Sequence, residues 1–501
     1  MTMRSSLCLF LASLVAWAQA PSQQPVFRTS SILVRADVIV TDKNDRRIHG
    51  LTPADFIVKA QGVQQQVSEF EHVLVRSERR NFSLDNPPAP QPREFSNFGA
   101  TAGGRTFVFM IGSISGAYIV QTKRVLTEFL NTLSPEDLVA VSYQTRSDLG
   151  VDFTSDPALI ARSFNRVTEA AAGFSAGRAE LWFRNVIRSM HGSRHTRRVI
   201  VYVSEKPPFL HANPKGRALD SELTIPNDPT LDLEFTTMLG ELRRAAQMNI
   251  PVYTMDPRGL MAPELALEGP MEQQTPERRK AVNQAVFFDK QGMKTLAENT
   301  GGRAFTDSWD GRNAARTLLS DNNDYYVLGI RPEPYNPDGK FHELDIRVRI
   351  PGARVRSRQG YVAEPVSKAT GPFSEDDALS QGMPGGDLKL VGDAVVELAA
   401  GAPGNVKLAL RVRYDDPPVL AQKGDQLTVR WIAIDADAEV RASGEETAQV
   451  PATTPVPPGG VPIDIRLEIP RGRSTIRVLV TSAATGTRGW LHIPIQVTLR
   501  R

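Results

Sequence analysis

The stretch Thr106-Phe107-Val108-Phe109-Met110-Ile111-Gly112-Ser113-Ile114-Ser115-Gly116 decides the fold, because five consecutive apolar residues run into a glycine and a pair of serines. A run that is apolar at every position reads as a strand buried on both faces, as in a parallel sheet covered by helices. The downstream pattern agrees. A helical stretch Tyr118 to Leu133 leads to a strand Leu138 to Tyr143, helices 156–172 and 178–190, and a strand Arg198 to Ser204. A helix Leu231 to Met248, a strand Ile250 to Asp256, a helix 283–299, a short strand Arg303 to Thr306 and a helix Arg312 to Ser320 follow. This alternation predicts a Rossmann-like, mostly parallel sheet with helices on both faces over residues 105–322.

Outside that span the period changes to two. Ile32, Val34, Ala36, Val38 and Val40 alternate with more polar partners such as Arg35 and Asp37, so residues 26–75 read as a β segment. Residues 76–104, with Pro87, Pro88, Pro90 and Pro92, read as a linker. Leu344, Ile346, Val348 and Ile350 mark a second β segment over 323–363. Residues 26–75 hold too few strands to bury a face alone, so 323–363 is expected to complete one β-sandwich into which the α/β part is inserted. A second linker at 364–385 precedes a C-terminal β-sandwich over 386–501, with its clean run Leu491, Ile493, Ile495, Val497 and Leu499. The expected fold class is α/β plus β.

Residues 1–20 carry Arg4, an apolar run from Leu7 to Ala16 and the small-x-small site Ala18-Gln19-Ala20, the order of a signal peptide cleaved near Ala20. The run is too short for a permanent membrane span. An exported chain, periplasmic or secreted, is therefore expected, with no transmembrane segment in its mature part. Its one cysteine, Cys8, leaves with the leader, which removes disulfide and thiolate chemistry. With 41% hydrophobic and 23% charged residues the chain is globular, and a net charge of +3 over 501 residues gives no reason to expect nucleic acid as a partner.

Several separated segments agree in order with one family. Met110 to Gly116, Leu133-Ser134-Pro135-Glu136-Asp137, Phe153-Thr154-Ser155-Asp156, Pro251 to Leu260, Leu296 to Phe305, Tyr325-Tyr326-Val327-Leu328-Gly329 and Arg358-Gln359-Gly360-Tyr361 resemble the von Willebrand factor type A (VWA) domain, in particular the acidobacterial VWFA-related proteins. The resemblance covers residues 26 to about 363. It implies an Asp-x-Ser-x-Ser motif, a threonine and an aspartate whose oxygens hold one divalent cation, usually Mg²⁺. Here the motif positions carry Ile111, Ser113 and Ser115, so the main carboxylate is missing. The threonine place falls near Ser175 to Arg178, where a guanidinium repels cations, and Glu205 stands in for the aspartate. Mg²⁺ needs more carboxylate than this. The expectation is a degenerate site with no cofactor, its serines capping the helix that begins near Ala117; the rival is a cation-dependent domain using Ser113, Ser115 and Glu205.

Other patterns weigh less. Gly173-Phe174-Ser175-Ala176-Gly177 matches a hydrolase nucleophile turn, but a helix and not a strand precedes Ser175. His191 and His195 are four apart, yet Gly192-Ser193 breaks any helix between them and arginines surround them, so a solvated loop is expected. His49, His72, His211, His342 and His492 stand singly and read as surface or structural residues. Asn299-Thr300-Gly301-Gly302-Arg303 follows a helix and reads as its C-cap. Asp256 either lines a crevice or serves the turn Pro257-Arg258-Gly259. Two long excursions, 205–229 and 257–282, leave the carboxyl ends of strands, the edge where open α/β sheets bind ligands. They predict a non-enzymatic face for a protein or cell-envelope component around Ser113, Ser115, Glu205, Asp256 and Phe209, with Pro207, Pro208 and Leu210 adding exposed apolar material.

Overall fold

The computed structural model describes residues 33–75, 79–84, 95–96, 104–144, 146, 149–168, 179–190, 195, 197–208, 229–259, 275–307, 311–363, 379, 385–397, 404–414, 424–435, 439–452 and 460–497. The expected leader, Ser175, Arg178, His191, Phe209 and Leu210 lie outside the described residues. The content is mixed, with several antiparallel sheets and one sheet of mixed direction.

In chain order, β1 (Val34–Thr41), β2 (Phe56–Ala60), β3 (Val63–Gln65), β4 (Val67–Leu74) and the short β5 (Phe95–Ser96) come first. The α/β segment runs through β6 (Arg105–Ile111), α1 (Ile119–Thr132), β7 (Leu138–Tyr143), β8 (Val151–Thr154), α2 (Pro157–Asn165) and α3 (Ala179–Ser189). It continues with β9 (Arg197–Val203), α4 (Pro229–Gln247), β10 (Val252–Met255), α5 (Pro276–Glu298), β11 (Ala304–Phe305) and α6 (Gly311–Asn323). Then β12 (Asp324–Ile330), β13 (Phe341–Val348), β14 (Arg354–Arg356) and β15 (Gly360–Val362) return to strands.

The six-stranded sheet has the order β11-β10-β9-β6-β7-β8, parallel except for β8. Because side chains alternate along a strand, Phe107, Phe109 and Ile111 face a core shared with α1, α2 and α6, while Val108 and Met110 face one shared with α3, α4 and α5. Helices thus cover both faces. Asp156 caps α2 by accepting the Ala158 N–H at 2.9 Å, and Pro157 opens the helix, where its missing donor costs nothing. The antiparallel edge strand β8 is an addition to the sequence expectation, and α5 begins seven residues earlier than the expected 283, at Pro276.

Strands from both ends of the α/β segment share two sheets, β14-β1-β12-β4 and β15-β13-β2-β3, over one apolar core that includes Val38, Val58, Tyr326, Leu328 and Leu344. Polar contacts tie this unit to the α/β segment. Arg197 donates to Asp37 and, at 2.7 Å, to Asn322; Asp321, fully buried, accepts from Arg47 and Arg356. Arg358 donates to the carbonyls of Ala246 at 2.9 Å and Gln247 at 3.2 Å, supplying the end of α4 with the donors it otherwise lacks. Strands between Gly385 and Val497 form two further antiparallel sheets around a second apolar core.

The expected linkers are in part built into the structure. In 76–104, Leu84 is buried against the α/β core, Asn131 of α1 bonds the backbone of Phe82 from both ends of its amide, and Phe95–Ser96 pairs with Gly392 and Val391. In 364–385, Leu379 packs on Leu479. Composition showed the prolines but not these anchors. Among the described residues no helix is long and apolar enough to cross a membrane.

Candidate functional site

β6 and β9 lie side by side with Ile111 opposite Val203, and the sheet order reverses between them. The chain leaves their carboxyl ends in opposite directions, which opens a crevice there. Gly112 is required at its floor, since a Cβ would lie 2.7 Å from Ser204 Oγ and 2.8 Å from Tyr202 Oη. Ser204 then clamps the neighbouring turn. Its hydroxyl accepts the Ser113 N–H at 3.1 Å and donates to the Ser113 carbonyl at 3.3 Å, while the Glu205 N–H reaches that carbonyl at 2.8 Å.

Ser113, Ser115 and Glu205 are therefore brought together. Glu205 Oε1 accepts from the Ser115 backbone N–H and, at 2.8 Å, from the Ser115 hydroxyl. Ser115 holds the N-cap position of a short 3₁₀ turn at Gly116–Tyr118, and its side chain does not cap it. The serine-capping expectation is thus corrected, because the hydroxyl is drawn across the crevice by the carboxylate. Ile111 is fully buried, and its carbonyl accepts from Gln144 N at 3.3 Å.

Beside them lies a fixed positive charge, the Arg258 guanidinium. Its Nε lies 3.0 and 3.1 Å from the two oxygens of Asp256, and its Nη2 2.9 Å from Oδ2. The same guanidinium donates to the Glu205 carbonyl and, through Nη1 at 3.2 Å, to Asp289 of α5. It thereby joins the loops after β9 and β10 to a helix. Neighbouring Lys290 donates to the Gly259 carbonyl at 3.0 Å. Burial pushes the Asp289 carboxyl up to about 6 despite the pull of Arg258, and burial likewise raises Asp256. The Tyr118 phenol is raised by burial and by the nearby Glu205 charge.

Asp256 has no solvent exposure on its side chain, so it supports the loop from below. Of its two sequence readings the turn is the one seen, since Arg258 N also donates to Oδ1 at 2.9 Å, and a side chain so buried does not line the crevice or offer itself to a partner. Pro207 and Pro208 are buried, which corrects the expectation of exposed apolar material there. The turn closes inward because Tyr202 Oη donates to the Lys206 carbonyl at 2.9 Å. Among the described residues near the crevice, Gly116, Ala117, Val120 and Lys206 are exposed. Sequence reading missed Arg258 and Asp289 as partners; the basic residue two places after an aspartate at a strand end was the available signal.

Two further sequence candidates resolve as structure. His195 is buried, not solvated, with Nδ1 3.0 Å from the Thr106 hydroxyl. Gly301 has a φ of +81° just past α5, and the Gly302 N–H returns to the Ala297 carbonyl at 3.0 Å, the helix cap that the sequence suggested.

No family model matches the chain, and no curated protein matches it. Solved structures similar to it include the conserved hypothetical protein BatB from Bacteroides thetaiotaomicron, at 14% identity and a TM-score of 0.26, over 44% of this chain and 98% of that one. Another is the dimeric latent PorU from Porphyromonas gingivalis, at 13% identity and a TM-score of 0.15, over 36% of this chain and 14% of that one. Overlaps this loose transfer neither a fold nor a function.

Proposed function

We propose that this protein is an exported, non-enzymatic recognition protein, built on a type A-like α/β domain whose crevice loops are held together by an arginine. The observation that carries the reading is the Arg258 guanidinium, which occupies both oxygens of Asp256 and reaches Asp289 and the Glu205 carbonyl. A fixed side chain in that position holds the loops without a dissociable ion. The strand order and the crevice at the carboxyl ends support the type A-like reading. The partner, a protein or envelope component, is recognised without Mg²⁺ through the rim formed by Gly116, Ala117, Val120 and Lys206 beside Ser113, Ser115 and Glu205.

Photo-cross-linking in the native cell tests it, with the reactive side chain placed at Ala117 or Lys206, both exposed. A discrete adduct that persists in a chelator is expected. Adducts that vanish with the chelator and return with Mg²⁺ would establish a cation-dependent face instead. Adducts formed only from positions in the C-terminal sheets would move recognition to that unit.

A further inference from the structure

We propose that His49, His72 and Asp324 form a binding site for a divalent transition cation, zinc foremost, remote in sequence from the crevice and independent of the function proposed for it. His72 Nε2 lies 2.8 Å from Asp324 Oδ1, His49 Nδ1 lies 3.6 Å from Asp324 Oδ2, and one ligand atom from each residue falls within 4.8 Å of the others. Zinc with bonds of about 2.0–2.1 Å in a tetrahedron sets its ligand atoms roughly 3.3 Å apart. Small side-chain rotations close the difference. Two imidazoles and one carboxylate suit zinc and its borderline neighbours, whereas Mg²⁺ and Ca²⁺ call for six or more oxygens.

The convergence follows from strand register. Tyr326 pairs with His72 across β12 and β4, and Asp324, two residues before Tyr326, projects from the same sheet face. The His72 ring stacks on Tyr326, with centroids 4.6 Å apart and 21° between planes, which fixes its direction. Tyr326 also tethers the loop that carries His49. Its hydroxyl donates to the Ile48 carbonyl at 2.9 Å and accepts the Leu51 N–H at 3.4 Å, so it holds both flanks of that histidine. One tyrosine thus positions two ligands from separate segments, the kind of support that metal-binding histidines need. Another histidine beside a carboxylate, His342 with Asp338 at 2.9 Å, has no third such ligand beside it among the described residues. The His49 side chain is 58% exposed, so a fourth coordination place is open to water. A bound ion would staple the loop after β1 and the strand β4 to the start of β12, which adds stability in proportion to its binding.

The test uses the full mature chain, made without a polyhistidine tag and stripped with a chelator. Titration with Co²⁺ is expected to give one saturable equivalent with the intense visible bands of tetrahedral coordination, displaced by Zn²⁺. His49→Ala and His72→Ala abolish those bands, Tyr326→Phe weakens binding by about tenfold, and His342→Ala changes nothing. Zn²⁺ raises the melting temperature of the wild type and not of His49→Ala, whose exposed position keeps the fold intact without metal. Absence of saturable binding by the wild type, or equal binding by His49→Ala with an unchanged spectrum, overturns the proposal. Should His72→Ala fail to fold, His49→Ala alone decides.

Discussion

Arg258 grips both carboxylate oxygens of Asp256, with Nε at 3.0 and 3.1 Å and Nη2 at 2.9 Å, in a site where the acid has no solvent exposure. Breaking one side of a buried ion pair costs about 3–5 kcal/mol, because the remaining charge keeps its desolvation penalty. Asp256 can take a proton to escape part of that penalty, so Arg258→Ala is expected near the lower end, about 3 kcal/mol. Hydrogen exchange at Val252–Met255 should accelerate by roughly a hundredfold. The double change Arg258→Ala with Asp256→Asn should recover part of the loss; no change in exchange for the single variant would remove the pair from any supporting role.

Asp289 supplies a pH signature. Its folded pKa of about 6 lies above the ordinary 3.8, chiefly through burial, so the folded state favours the protonated acid. The resulting stability is fully present below 3.8 and is lost as pH rises through about 6. Asp289→Asn should flatten that decline while keeping an oxygen for Arg258. Carboxyl NMR of Asp289 is the direct check, and a midpoint at the ordinary carboxylate value would contradict it.

His195 acts in the opposite direction. Burial depresses its pKa below 6.5, so its unfolded form takes up a proton more readily than its folded form. Stability is retained above 6.5 and lost as pH falls from there toward the depressed folded value. His195→Gln should lessen that acid sensitivity in a pH series of urea melts. Gly104→Ala presses on the same ring, since its Cβ would lie 2.5 Å from Nε2 and 2.6 Å from the Glu136 carbonyl. Crowding of that kind costs about 1–3 kcal/mol, and a melt indistinguishable from wild type would show that the segment yields freely.

Asp321 is the joint between the α/β segment and the strands around it. It is fully buried, bonded to Arg47 and Arg356, with Arg303 Nε at 3.7 Å. Asp321→Ala leaves these guanidiniums facing one another and should cost about 3–5 kcal/mol. Limited proteolysis should then cut near residues 41–52 faster than in wild type. Equal digestion would mean that apolar packing alone holds the joint.

Much of the fold was legible because it rests on periodicity. The unbroken run Phe107 to Ile111 could only be a strand covered on both faces, and the alternation after it called for helices on either side. Ile111, expected where the resembled family keeps a carboxylate, is fully buried at the end of that strand. Other motif residues spoke only through the structure. Asp137 reads as the end of one segment of the family pattern, yet it is the fully buried partner of Arg105, with Nε to Oδ1 at 2.9 Å. Arg358 reads as one of a family pattern, and its work is to supply donors to the end of α4, more than a hundred residues away in the chain.

The amino-acid sequence by itself determined the order of elements and the β-rich C-terminal part, since each depends on local period. Only the tertiary structure decided which groups meet at the crevice and beyond it. Whether Arg258 faces solvent or Asp256, and whether His49 and His72 stand apart or converge on Asp324, depends on which strand ends lie side by side. Those distances are set by sheet order and register, which are properties of segments hundreds of residues apart and leave no mark on the spacing within any one of them.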